Sequence, residues 1–325
     1  MEEKTERGSG IDSEFPSLIF MGTPDFAVPS LQKLVVSGAM INLVVTQPDR
    51  PKGRGKKLSP PPVKKMAEKL NLPIFQPQRI RELAAIEKLR SLRAECVALV
   101  AYGQLLTQEF LDIFPLGTLN VHASLLPRYR GAAPIQRAIL SGDIKTGVSI
   151  MLLDAGMDTG PVLAQREVEI GQEETSGTLH DKLALVGADL LCETLKKWRA
   201  GLIQPRPQDD TLATFAPPVE KGELRLSWNL PANRLVNTIR AFDPWPGAYA
   251  IYQGKRLKCF KASLLTWEVG GESGEILGRT AKGLMVMGGD GKALAIGDLQ
   301  LEGQRKLSAD EFLRGHPMPP GSFME

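Results

Sequence analysis

A chain of 325 residues, 42% hydrophobic and 24% charged, has the composition of an ordinary globular protein and length enough for two domains. Its formal net charge of +3 does not demand a nucleic-acid partner, so any basic binding surface must come from local clustering. Three cysteines (Cys96, Cys192, Cys259) and three histidines (His122, His180, His316) are too scattered for a metal site, and none is expected.

The cysteines sit in apolar patterns and read as buried small hydrophobes in a reducing compartment. No apolar run approaches the roughly 18 residues of a membrane span. Residues 1–16 are polar with several acids, lacking both the apolar core of a signal peptide and the Arg-rich character of a transit sequence. They are expected to be a disordered tail, and the protein to be cytoplasmic.

Residues 17–22 (SLIFMG) form an apolar strand ending in a glycine turn, followed by a helix from Phe26 to Val36. This βα unit lacks G-x-G-x-x-G, so a dinucleotide site fails its first test. A second buried strand, Ile41–Thr46, empties into QPDRPKGRGKKLSPPPVKK. From Pro48 to Met66 there are seven Lys or Arg against one acid, Asp49. Five prolines and two glycines exclude regular structure through Pro62. A solvated surface loop and a binding loop both fit these residues.

Helices are expected at Val63–Leu70, Ile80–Leu92 and Gln108–Phe114, with strands at Pro73–Phe75 and Cys96–Tyr102. Gly117–Pro134 (GTLNVHASLLPRYRGAAP) then carries Asn120 and His122 on one face of a strand, by alternation. Such polar side chains at a strand's carboxyl end suit a ligand site in an α/β sheet, although they equally fit groups that satisfy nearby backbone. Strands at Gly147–Leu153 and Pro161–Ile170 follow, then a helix over Thr175–Arg199 ended by Gly201. His180 on that helix reads as structural. Prolines recur through 203–222, which reads as a linker. Beyond a helix at Ala232–Phe242, short strands with glycine turns (248–252, 255–264, 274–279, 283–287, 293–301) indicate a small β-barrel. Lys255, Arg256, Lys258 and Lys261 give it a local basic face, as a solvated edge strand also would.

Asn-x-His-x-Ser-Leu-Leu-Pro at 120–127 resembles the signature of the folate-dependent formyltransferases, and Asp154-Ala-Gly-Met-Asp158-Thr-Gly160 resembles their second catalytic loop. FMGTPDFAVPSL and QPDRPKGRGKKL resemble the methionyl-tRNA formyltransferases in particular. That resemblance implies a Rossmann-like, mostly parallel α/β formyltransferase domain (17–202), a linker (203–222) and an OB-like β-barrel domain (223–325). It implies formyl transfer from 10-formyltetrahydrofolate to the amino group of methionine on initiator Met-tRNA. Catalysis falls to Asn120, His122 and Asp158, with Asp158 favoured over Asp154 by its place before Thr159-Gly160. Ser124, Leu125, Leu126 and Pro127, with Tyr102 and Gly103, are assigned to the folate. The tRNA falls to Arg50, Arg54, Lys56 and Lys57, and to the basic residues of the barrel. A formyltransferase acting on an amino sugar or glycinamide ribonucleotide would share the trio but lack the basic loop and barrel. A noncatalytic RNA-binding module on the same fold would not need the trio.

Overall fold

The computed structural model describes residues 14–52, 55, 57–268 and 270–325, which form two compact units. The first takes the chain up to His122 with Ser149–Gln165 and Ala184–Gln208. The second takes Ala123–Val148, Arg166–Leu183 and Asp209–Glu325.

In chain order the elements are β1 (Leu18–Gly22), α1 (Val28–Val36), β2 (Ile41–Val45), β3 (Arg50–Lys52), β4 (Lys57–Ser59), α2 (Pro62–Lys69) and β5 (Ile74–Phe75). Next come α3 (Leu83–Ser91), β6 (Cys96–Val100), α4 (Gln108–Leu111), β7 (Thr118–His122), α5 (Pro134–Ser141), β8 (Lys145–Leu152), β9 (Val162–Glu169) and α6 (Ser176–Arg199). The main sheet runs β5-β2-β1-β6-β7-β8-β9. It is parallel from β5 through β7, and β8 lies antiparallel to β7. β1 and β6 are apolar and buried at every position, as strands covered on both faces must be. Alternate residues Ile19 and Met21, Leu43 and Val45, and Val97 and Leu99 share one core with Ile86 and Leu89 of α3 and Phe110 of α4. The strand order reverses between β1 and β6, which opens a crevice at the carboxyl ends of these strands.

In the second unit α7 (Ala232–Phe242) packs against α5 and leads to β10 (Ala248–Tyr252), β11 (Lys255–Glu268), β12 (Ile276–Thr280), β13 (Gly283–Met287), β14 (Lys292–Leu301), β15 (Leu307–Ser308) and α8 (Ala309–Gly315). The sheet is antiparallel in the order β10-β11-β14-β13-β12, with β15 on β14. The last residues join its two ends. Ile251 of β10 exchanges both backbone hydrogen bonds with Glu325 (2.7 and 2.8 Å), and Ile276 of β12 donates to the Ser322 carbonyl at 2.8 Å.

Several elements differ from expectation. The basic stretch is not irregular: β3 and β4 pair antiparallel, Arg50 opposite Ser59, and Gly55 takes φ +102° between them. α3 starts three residues after Ile80, whose N–H goes instead to Gln104 Oε1 at 2.8 Å. α4 is one turn, capped by Thr107, because Pro115 follows closely. β15 and α8 lie beyond the last strand expected from the sequence; α8 is fixed by a Ser308–Glu311 capping box. Most of the expected N-terminal tail lies outside the described residues. Its end is ordered, with Phe15 buried and its carbonyl accepting from Arg199 at 2.7 Å.

Candidate active site

β7 is buried along its whole length, so its polar side chains need an energetic reason to be there. Asn120 sits opposite Met151 and His122 opposite Ser149 on β8, which places both on one face at the carboxyl end of β7. Both are more than nine-tenths buried. His122 Nδ1 lies 3.6 Å from Asp158 Oδ2, inside ion-pair range and beyond a hydrogen bond. The trio expected from the sequence is thus brought together within the first unit.

Asp158 reaches His122 because the loop between β8 and β9 is held from several sides. Asp154 accepts from Gly156 N–H (3.0 Å) and from the Thr159 hydroxyl (2.8 Å), so this carboxylate shapes the loop. Gln208 Nε2 donates to the carbonyls of Asp158 (2.8 Å) and Gly160 (2.7 Å). A Cβ at Gly160 would come within 1.9 Å of the Leu152 carbonyl, so only glycine fits there. Asp158 itself adopts φ +55°, a left-handed conformation uncommon outside glycine and typical of constrained sites.

A cavity of 510 Å³ opens at the crevice between β1, β2 and β6, within the usual size range of small-molecule sites. Thr23, Gln47, Arg50, Tyr102 and Gly103 line it, with the 59–62 segment on one wall. Tyr102 serves it through its backbone: the carbonyl accepts from Thr23 Oγ1 (2.9 Å) and Gln47 Nε2 (3.3 Å). Its ring is buried in the core, which pushes the phenol up to about 12 by desolvation. Gln47 and Thr23 were missed by sequence reasoning. Their position at the ends of parallel strands is the signal that could have found them.

Ser124–Pro127 belongs to the second unit, where the Ser124 hydroxyl donates to the Arg128 carbonyl at 2.6 Å. Arg50 lines the cavity and donates to Gln47 Oε1 at 3.1 Å. Arg54 and Lys56 lie outside the described residues, and Lys57 falls in β4. On β11, Arg256 and Lys258 share one face, Arg256 lying 4.3 Å from the Tyr249 ring centre and Lys258 donating to the Pro246 carbonyl at 2.7 Å. Lys255 opens the strand on the opposite register, and Lys261, at φ +52°, pairs with Asp298 at 2.9 Å. These four cations therefore do not form a single strand face.

Residues 17–195 match the family described as formyl transferase, and residues 218–317 match the formyl transferase C-terminal domain. The chain is 45% identical over 305 residues to a methionyl-tRNA formyltransferase of Geobacter metallireducens, covering 94% of this chain and 97% of that protein. It is likewise 45% identical over 307 residues to one from Moorella thermoacetica, covering 94% and 98%. The chain belongs to the methionyl-tRNA formyltransferase family. Among solved structures it is similar to HypX from Aquifex aeolicus in complex with tetrahydrofolic acid, at 18% identity and a TM-score of 0.65. That match covers 96% of this chain, which spans 51% of the HypX chain. It is also similar to WlaRD, a sugar 3N-formyl transferase, at 18% identity and TM-score 0.65, covering 90% and 99%. These distant likenesses speak to the fold: a Rossmann-like, mostly parallel sheet followed by an antiparallel β domain. Among the described residues no three His, Cys, Asp or Glu side chains gather as metal ligands, and no helix is long and apolar enough to cross a membrane.

Proposed function

We propose that this chain transfers the formyl group of 10-formyltetrahydrofolate to the α-amino group of methionine on initiator tRNA, giving N-formylmethionyl-tRNA for translation initiation in the cytoplasm. One observation carries the reading: Asn120, His122 and Asp158 converge at the end of β7 in a member of this family.

The folate co-substrate supplies an activated formyl group, and the chain's residues supply charge stabilisation and proton movement. Asn120 donates its amide N–H to the oxyanion that develops on the formyl oxygen; one such donor is worth about 3–4 kcal/mol of barrier. An α-amine has a reference pKa of about 7.7–8.0, so a strong base is not needed to free the nucleophile. A carbon–nitrogen bond forms to the methionyl amine, the bond to the folate nitrogen breaks, and one proton passes between the two nitrogens. His122 carries that proton, and Asp158, 3.6 Å from its Nδ1, orients the imidazole. Ser124–Pro127, Tyr102 and Gly103 hold the folate; the cavity beside Tyr102 and Gly103 has room for a group of that class.

Arg50, Arg54, Lys56 and Lys57 take the acceptor end of the tRNA, and Lys255, Arg256, Lys258 and Lys261 on an OB-like barrel take its body. In functional terms the domains are 17–202 and 223–325, joined by 203–222. The test offers radiolabelled 10-formyltetrahydrofolate to the protein with Met-tRNA, an amino-sugar nucleotide and glycinamide ribonucleotide in parallel. Label is expected on Met-tRNA. Transfer to a small amine alone overturns the reading.

A further inference from the structure

A second concavity of 350 Å³ adjoins the first and shares Gln47, Arg50 and Gly103 with it. Three arginines line it, Arg50, Arg79 and Arg81, and no acidic residue does. Arg50 is held by Gln47 Oε1 at 3.1 Å. The side chains of Arg79 and Arg81 have no hydrogen-bond or ion-pair partner among the described residues, and both are exposed.

The frame around them is built. Gln104 bridges the two loops that form the walls, accepting from Ile80 N–H at 2.8 Å and donating to the Gln78 carbonyl at 3.2 Å. Gln47 in turn is buried and fixed by its bond to the Tyr102 carbonyl. Three like charges along one small concavity repel one another, and salt screens that repulsion only in part. An anion placed between them relieves that repulsion and gains forked hydrogen bonds from planar donors. Like charges gathered on a pinned frame with no acid among them suit the binding of an anion.

We propose that Arg50, Arg79 and Arg81 form an oxyanion site beside the larger cavity, and that it holds an anionic extension of a substrate bound there. The proposal rests on the formyl-transfer reading above, which supplies two sources of one chemistry. One is a phosphodiester of the 3′-terminal nucleotides of the tRNA, and the other is a carboxylate of the glutamyl tail of the folate.

The double variant Arg79→Gln with Arg81→Gln alters two exposed side chains, and its thermal midpoint is expected to match the wild type. Tripolyphosphate, independent of any catalytic reading, should raise the melting temperature of the wild-type protein and not that of the double variant. Under formyl-transfer conditions the variant should raise KM about ten-fold for one substrate, the loss expected for charge-assisted contacts, with kcat unchanged. A rise for Met-tRNA with a flatter salt dependence identifies the phosphate source. A rise for a triglutamyl folate, absent with the monoglutamyl form, identifies the carboxylate source. Unchanged KM for both substrates, or equal tripolyphosphate stabilisation of both proteins, overturns the site. A wild-type protein inactive on Met-tRNA overturns the formyl-transfer reading instead, and leaves the tripolyphosphate comparison standing.

Discussion

At 3.6 Å, the His122–Asp158 pair acts through charge and orientation more than through a formed hydrogen bond. Such contacts commonly tighten only when a substrate closes the site. Asp158→Asn removes the charge and keeps the size, so turnover should fall about a hundred-fold or more while Met-tRNA binding persists. Asp154→Asn keeps an acceptor for the Gly156 N–H and should cost far less. Turnover numbers of the two variants side by side check this; equal losses at both positions reject the assignment. Gln208→Leu deletes both donors to the Asp158 and Gly160 carbonyls. It should lower kcat about ten-fold with little change in KM for either substrate, because the loop no longer holds Asp158 in place.

Among the elements, the β3–β4 hairpin departs furthest from expectation. Its base is tied by Asp49, which accepts from Gln76 Nε2 at 2.8 Å and from Lys64 Nζ at 2.8 Å. The Gln76 hydrogen bond and the Lys64 ammonium hold this carboxyl below the usual carboxylate range. Since the folded-state pKa is depressed, the tether's contribution is complete above the unfolded value of about 3.9 and is lost as pH falls through the lower folded one. Protease nicking in the hairpin should therefore rise below about pH 4, and Asp49→Asn should flatten that dependence. Pairing of this kind was not legible, because the stretch has no alternation and its anchors lie 15 and 27 residues away in sequence. The buried strands were legible for the opposite reason: runs such as LIFMG and CVALV carry their burial in their composition. At the site, Asn120 and His122 were readable from strand period, and Asp158 only through the resemblance of its loop. Gln208 and Gln47 act through contacts 50 and 55 residues apart, which no local pattern records.

Over the whole chain, the second unit gathers segments that the sequence reads as belonging to different domains. Arg240 of α7 is nine-tenths buried, and its Nε and Nη2 donate to the carbonyls of Glu174 (2.7 Å) and Gly171 (2.6 Å). Ser176, at the start of α6, donates to the Asp243 carbonyl at 2.8 Å. Arg137 of α5 pairs with Glu223 and donates to the carbonyls of Pro217 (3.1 Å) and Pro218 (3.0 Å). A fragment ending at residue 205 would lose every one of these partners, together with the α7 face that covers α5. It should melt well below the intact chain and aggregate on a sizing column, so any loss of Met-tRNA use by the fragment would not by itself measure the barrel's role. Arg240→Met in the full chain tests the same clamp without truncation. It leaves two carbonyls without their donor at a cost of about 1–3 kcal/mol, read as a lower urea midpoint at unchanged slope. A fragment as stable as the whole chain, with Arg240→Met neutral, would mean that residues 123–148 and 166–183 stand without α7.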